Sequence, residues 1–132
     1  MLIGIPSGYI VGMGLAGLVN TYVFPVPQPV LESFGESLLG DDLPLWQIIL
    51  FLTITPGILE ELAFRGALLH GLRKTFRPVV VCLVVGAIFG LFHVSLFRLL
   101  PTGFLGVLFA GATLLTGSIF PAMLWHFGNN FI

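Results

Sequence analysis

Polar positions along this chain are few and clustered, and the apolar runs between them set the expected elements. Tyr9 to Phe24 is a Gly-rich apolar run that Pro25, Pro27 and Pro29 bring to an end. Its Gly8, Gly12 and Gly17 offer small faces at which one helix can approach another. Val26 to Pro44 carries Glu32, Glu36, Asp41 and Asp42, the clearly acidic stretch, and predicts a loop or interfacial helix at a membrane face. Leu45 to Thr55 is apolar again. Pro56 and Gly57 then predict a kink or a new helix start directly before Glu60 and Glu61. Arg73, Lys74 and Arg77 form a short basic loop. Pro78 to Phe97 reads as a spanning helix closed by Arg98, Pro101 and Gly103. Another helix is expected from Phe104 to about Leu115, with Gly117 and Pro121 separating it from a last helix that carries His126 and Asn130.

Composition sharpens this into a membrane protein. Hydrophobic residues make up 57% of the 132 residues and charged residues 8%, against about 25% charged in a soluble domain. The mean hydropathy is +1.08. The fold class expected is all-α, a polytopic transmembrane helical bundle. By the positive-inside rule the basic loop faces the cytoplasm. A net charge of -1 without a basic patch gives no electrostatic footprint for nucleic acid. Cys82 is the single cysteine, so no intrachain disulfide forms, and it reads as packing. The first residues lack the basic start of a secretory signal and read as the beginning of a helix.

Against this background the ionisable residues stand out, because carboxylates at membrane depth must be paired, protonated or used. Glu60 and Glu61 are about 100° apart on a helix and cannot share one task. Glu61 and Arg65 are four apart, on one face, and suit an ion pair. Glu60 is left as a candidate general base for activating water. Phe89 and His93 are also four apart, so the phenyl ring can flank the imidazole. His126 and Asn130 repeat the spacing and offer an imidazole and a carboxamide to a developing oxyanion. Structural readings compete: a buried polar network for Glu60, Glu61 and Arg65, a core histidine at His93, and an interhelical hydrogen-bonding pair at His126 and Asn130. His70 and the tryptophans Trp46 and Trp125 read as interfacial side chains. Ser95 is two residues from His93 and completes no serine-histidine-acid arrangement.

Three separated motifs carry a family resemblance: EELAFR from Glu60 to Arg65, FGLFH from Phe89 to His93, and HFGNN from His126 to Asn130. In this order, each in an apolar segment, they resemble the CAAX protease and bacteriocin-processing family, also called the Abi family, which includes the Rce1-type prenyl-protein endopeptidases. The resemblance covers about Leu45 to Asn130. It implies an intramembrane endopeptidase in which Glu60 activates water, Glu61 and Arg65 support the site, His93 with Phe89 behind it helps position the water, and His126 with Asn130 stabilises the oxyanion. It implies no cofactor. Zinc stays open on the residues alone, since Glu60, His93 and His126 could supply three ligands, although no HExxH segment is present.

The resemblance also divides the chain into an amino-terminal helix with its acidic interfacial segment, residues 1–44, and a catalytic helical core, residues 45–132. Family members usually carry further amino-terminal helices, so a truncated amino terminus, or a fused or associated membrane protein, is expected. Expected partners are a peptide or lipidated protein substrate and membrane lipids. The expected location is the prokaryotic plasma membrane. The rival reading is a nonenzymatic membrane scaffold, a bacteriocin-immunity module or a transporter-associated module.

Overall fold

The computed structural model describes residues 25–39 and 44–131, together with Ile10 and positions 13–14, 17–19 and 21–23, and is all-helical in those regions. The described part of the first apolar run is helical up to residue 22, ahead of the prolines. Gly8 and Gly12 lie outside the described residues. Among the described residues, a Cβ added at Gly17 would meet nothing within 4 Å. Helix α1 spans Gln28–Leu39 and settles the acidic stretch as a helix; Asp41 and Asp42 lie outside the described residues.

Helix α2 runs from Leu45 to Leu72 without a break. The helix continues through Pro56 and Gly57, but regular α winding restarts there, at Thr55, after a wider turn. Leu50–Ile54 is wound as a π-helix, in which the Thr55 N–H reaches back to the Leu50 carbonyl. A wide turn at this point accommodates a proline that has no N–H and whose ring crowds the preceding turn. A second π segment, Leu62–Leu68, follows the glutamates directly. Gly57 has a different task from the one its sequence context suggests. A Cβ there would overlap the Phe127 ring, so the glycine is a notch into which the last helix docks.

Helix α3 spans Pro78–Phe92 and helix α4 spans Leu96–Thr116. The sequence placed this boundary too late. His93 caps α3, Val94 takes φ 48°, and Ser95 is extended before α4 begins. Arg98, Pro101 and Gly103 therefore lie inside α4, where Pro101 falls in the second turn. The missing Pro101 N–H costs one helical bond, and the Thr102 hydroxyl adds one of 2.6 Å to the Arg98 carbonyl. Helix α5, Phe120–Phe131, starts after Gly117 in the left-handed conformation at φ 69°. Gly117 separates the two helices as predicted, whereas Pro121 lies inside the first turn of α5, where the Phe120 N–H donates to Ser118 Oγ.

Helices α3 and α4 form a tight antiparallel hairpin because glycines line its seam. A Cβ on Gly106 would stand 2.8 Å from Gly86 Cα, and one on Gly90 2.6 Å from the Leu99 carbonyl oxygen. Gly86 and Gly90 make a GxxxG pair, the small-residue pattern that lets membrane helices approach closely. The opposing atoms are backbone and cannot rotate away, so Gly106→Ala is expected to lower unfolding stability by about 1–3 kcal/mol, measured by thermal unfolding in detergent.

Polarity is distributed as a lipid-exposed protein requires. Val79, Leu83, Leu91, Leu96, Phe120 and Leu124 are exposed, while Glu61, Arg65 and His126 are buried. Two helices, α2 and α4, are long and apolar enough to cross a membrane, and α3 is a shorter apolar helix. At 1.5 Å per residue α4 is about 31 Å long, the thickness of a bilayer's hydrocarbon core. The protein is membrane-associated, with Glu61, Arg65 and His126 turned inward.

Candidate active site

The site lies where α2, α3, α4 and α5 meet, and its centre is an ion pair. Arg65 Nη1 donates to Glu61 Oε1 at 2.9 Å, one turn apart on α2, with both side chains fully enclosed. The other end of the guanidinium, Nη2, donates to the Gly106 carbonyl at 3.1 Å. That carbonyl can be reached because glycine leaves the surface of α4 bare there. Arg65 also lies over the Phe89 ring at 4.5 Å and the Phe109 ring at 5.2 Å. A desolvated guanidinium held by two oxygens and two aromatic faces is a rigid fixture.

From this fixture the structure builds outward to His126. Its Nδ1 lies 2.9 Å from the same Glu61 Oε1. Its ring stacks on Phe109, with centroids 5.3 Å apart, and meets the edge of Phe89 at 5.8 Å. Phe127, the next residue, seats in the Gly57 notch, which fixes the height of α5 against α2. The other ring nitrogen, Nε2, lies 3.9 Å from Glu60 Oε2. Glu60 is one-fifth exposed, whereas its neighbour Glu61 is sealed. The two carboxylates thus differ as their angular separation on the helix requires: one is locked into a sealed pair and the other is partly exposed.

His93 and Asn130 stand at the margin. The His93 ring packs on Phe89 with centroids 5.0 Å apart, as the four-residue spacing implied. Its Nδ1 donates to the Phe89 carbonyl at 2.8 Å. This is a helix-ending bond, since the last carbonyls of α3 have no partner within the helix. Among the described residues no hydrogen bond joins His93 to Glu60. The two imidazoles are linked through Phe89, which touches both. Asn130 lies one turn beyond His126; its carbonyl accepts from Thr53 Oγ1 at 3.4 Å, and its Oδ1 accepts from Asn129 Nδ2 at 3.5 Å.

Sequence reasoning missed three contributors. Phe109 stacks on His126, the Gly106 carbonyl holds Arg65, and Gly57 seats α5. Only the glycines left a signal, in GAIFG and GFLG, where small residues recur at helical spacing on consecutive segments. Trp125, read as an interfacial anchor, packs against Phe109 with centroids 5.7 Å apart. Among the described residues no group of three His, Cys, Asp or Glu side chains is placed to hold a metal ion, and Glu60, His93 and His126 do not form one.

Comparison with known proteins bears on the whole of this helical core. A search of curated proteins and a search of solved structures find no match to the chain. The family model described as type II CAAX prenyl endopeptidase Rce1-like matches residues 42–132, a stretch that takes in α2 through α5 and every side chain of the site. On that match the chain belongs to the Rce1-like family of CAAX-type proteases.

Proposed function

We propose that residues 45–132 form a catalytic core that hydrolyses a peptide bond within the membrane, with Glu60 as the base that activates water. The observation that carries this reading is the inequality of the two glutamates. Each glutamate has a buried Oε2 without a hydrogen-bond partner among the described residues, but Glu61 is enclosed and its Oε1 engages both Arg65 and His126, whereas Glu60 is one-fifth exposed. A carboxylate held beside an imidazole, with its remaining lone pairs unspent, suits proton abstraction from water. The Asn130 carboxamide, one turn beyond His126, is the donor for the developing oxyanion. His93, braced by Phe89, lines the approach. Glu61 and Arg65 act through His126 and are positioning residues.

The substrate class follows from depth. Glu60 lies twelve residues before the end of α2 at Leu72, which is about 18 Å of helix, and the basic turn at Arg73, Lys74 and Arg77 marks the cytoplasmic face. A peptide bond reaches that depth when it comes with a lipid anchor or an apolar terminal segment, so a lipidated or membrane-associated peptide is the substrate we propose. The setting is an integral membrane location, of the prokaryotic plasma-membrane kind that the family resemblance implies. The test is cleavage of matched prenylated and unmodified peptides by the detergent-purified chain and by an equally folded Glu60→Gln protein. Cleavage of prenylated peptides that depends on Glu60 supports the reading. Cleavage that persists in Glu60→Gln defeats it.

Asn130→Ala is expected to lower kcat by about 10²–10³, the usual cost of one oxyanion donor. Steady-state kinetics on the best peptide measures this, and the unfolding temperature should move little because the side chain is half-buried and weakly bonded.

A further inference from the structure

Thr53 spends its hydroxyl differently from other threonines of this chain. Thr21, Thr102 and Thr116 each donate to the carbonyl four residues back in the chain, the usual way a helical threonine satisfies itself. Thr53 Oγ1 donates instead to the Asn130 carbonyl on α5, at 3.4 Å and across 77 positions of sequence. It is the one buried residue of the π segment Leu50–Ile54, and its neighbours Phe51, Leu52 and Ile54 are exposed apolar side chains. A single polar group is thus turned inward from a lipid-facing stretch, where a hydroxyl without a bond would be costly.

The bond completes a stripe. Thr53, Gly57, Glu61 and Arg65 stand four apart on α2 and all are buried, which is the spacing of one helix face. The first three meet α5 in reverse order: Thr53 meets the Asn130 carbonyl, Gly57 the Phe127 ring and Glu61 the His126 Nδ1. Helix α5 therefore runs antiparallel to α2 along this seam. The contacts of His126 and Phe127 come from adjacent residues and fix one height of α5. Thr53 fixes a second height one turn further on, at Asn130 itself.

Asn130 is the residue whose carboxamide the peptidase reading gives to the oxyanion. Among the described residues that carboxamide accepts one long side-chain bond, from Asn129 Nδ2 at 3.5 Å, so its place is set mainly by the backbone that carries it. Resting on that reading, we propose that Thr53 is a positioning residue of the site, whose hydroxyl anchors the Asn130 carbonyl and so sets where the Asn130 carboxamide stands. Thr53 acts only through Asn130. A group misplaced by about 1 Å can cost 10²-fold in rate, so the anchor bears on kcat and not on how tightly substrate binds.

The anchor can be read without reference to activity. In the full chain in lipid nanodiscs, carbonyl-¹³C asparagine combined with ¹⁵N-phenylalanine marks a single peptide bond, because Asn130–Phe131 is the one Asn-Phe pair in the sequence. We expect the ¹³C signal of that carbonyl to move in Thr53→Val, which keeps the shape of the side chain and removes its hydroxyl, and to stay in Thr53→Ser. An unmoved signal in Thr53→Val overturns the inference. On a cleaved peptide, Thr53→Val should lower kcat by about 10–10²-fold with KM little changed, and Thr53→Ser should restore the wild-type value. Thr53→Ala, which removes the hydroxyl and fills less space, should match Thr53→Val. In an Asn130→Ala background Thr53→Val should add no further loss. Full kcat in Thr53→Val, or a loss that multiplies with that of Asn130→Ala as independent sites do, overturns the inference. A wild-type chain that cleaves no peptide, or an Asn130→Ala protein as fast as wild type, defeats the peptidase reading; the carbonyl signal then decides alone whether Thr53 holds Asn130.

Discussion

Glu60→Gln should leave a folded protein that cleaves peptide roughly 10²–10⁴-fold more slowly, the usual contribution of a positioned general base. The substitution keeps the size and shape of the side chain and removes only its ability to take a proton. Folding has little reason to suffer, because Glu60 is partly exposed and its Oε2 has no hydrogen-bond partner among the described residues. Substitutions outside packed or bonded networks usually change stability by no more than about 0.5 kcal/mol. Comparing kcat with the unfolding midpoint in one detergent separates the two effects. A nonenzymatic membrane module predicts the opposite emphasis, with Glu60→Gln silent and changes at Glu61 or Arg65 damaging assembly. A Glu60→Gln protein that unfolds as readily as an Arg65 variant would remove the ground for calling Glu60 the base.

Arg65→Met should be the most destabilising single change in the site, at about 3–5 kcal/mol. Removing one partner of a buried ion pair leaves the other as an uncompensated charge, which costs more than the pair itself contributed. Here the orphan would be Glu61, fully enclosed, with only His126 left to face it. The Gly106 carbonyl would lose its donor, and three phenylalanine rings would lose the cation they surround. Chemical unfolding in mixed micelles measures the loss. The double variant Glu61→Gln with Arg65→Met should recover part of it, because the charge left behind is gone. A single Arg65→Met within 1 kcal/mol of wild type, on the scale set by buried pairs, would mean that Glu61 finds compensation elsewhere.

How legible the site was depends on whether a contact runs within one helix or between helices. Glu61 with Arg65, and Phe89 with His93, lie four residues apart on one helix, so their pairing could be read from spacing, and both contacts form. The bond from His126 to Glu61 spans 65 positions, and no local pattern announces it; only the family resemblance placed those motifs in one site. Pro56 and Pro101 misled for a common reason. In water a proline inside a helix is a break, yet here both lie within continuous helices, one behind a π turn and the other in the second turn of α4. The boundary at His93 was placed late because apolar residues continue past it, with only His93 and Ser95 between Phe92 and Phe97 to break the run. In a lipid-facing helix, hydrophobicity does not mark where a turn occurs, and the stop is written instead in the bonds of His93 to the carbonyls of Phe89 and Gly90.

The π segment at Leu50–Ile54 has a consequence for how this helix tolerates change. A π turn is an α-helix holding one residue too many, and its wider winding absorbs that residue without turning the rods on either side of it. Removing one residue from that turn would restore regular winding and leave Leu45–Ile49 close to its present orientation relative to the glutamates, without touching the bonds among Glu61, Arg65 and His126. The outer rod of α2 can therefore lose a residue here and still show the same side to lipid or to a neighbouring helix.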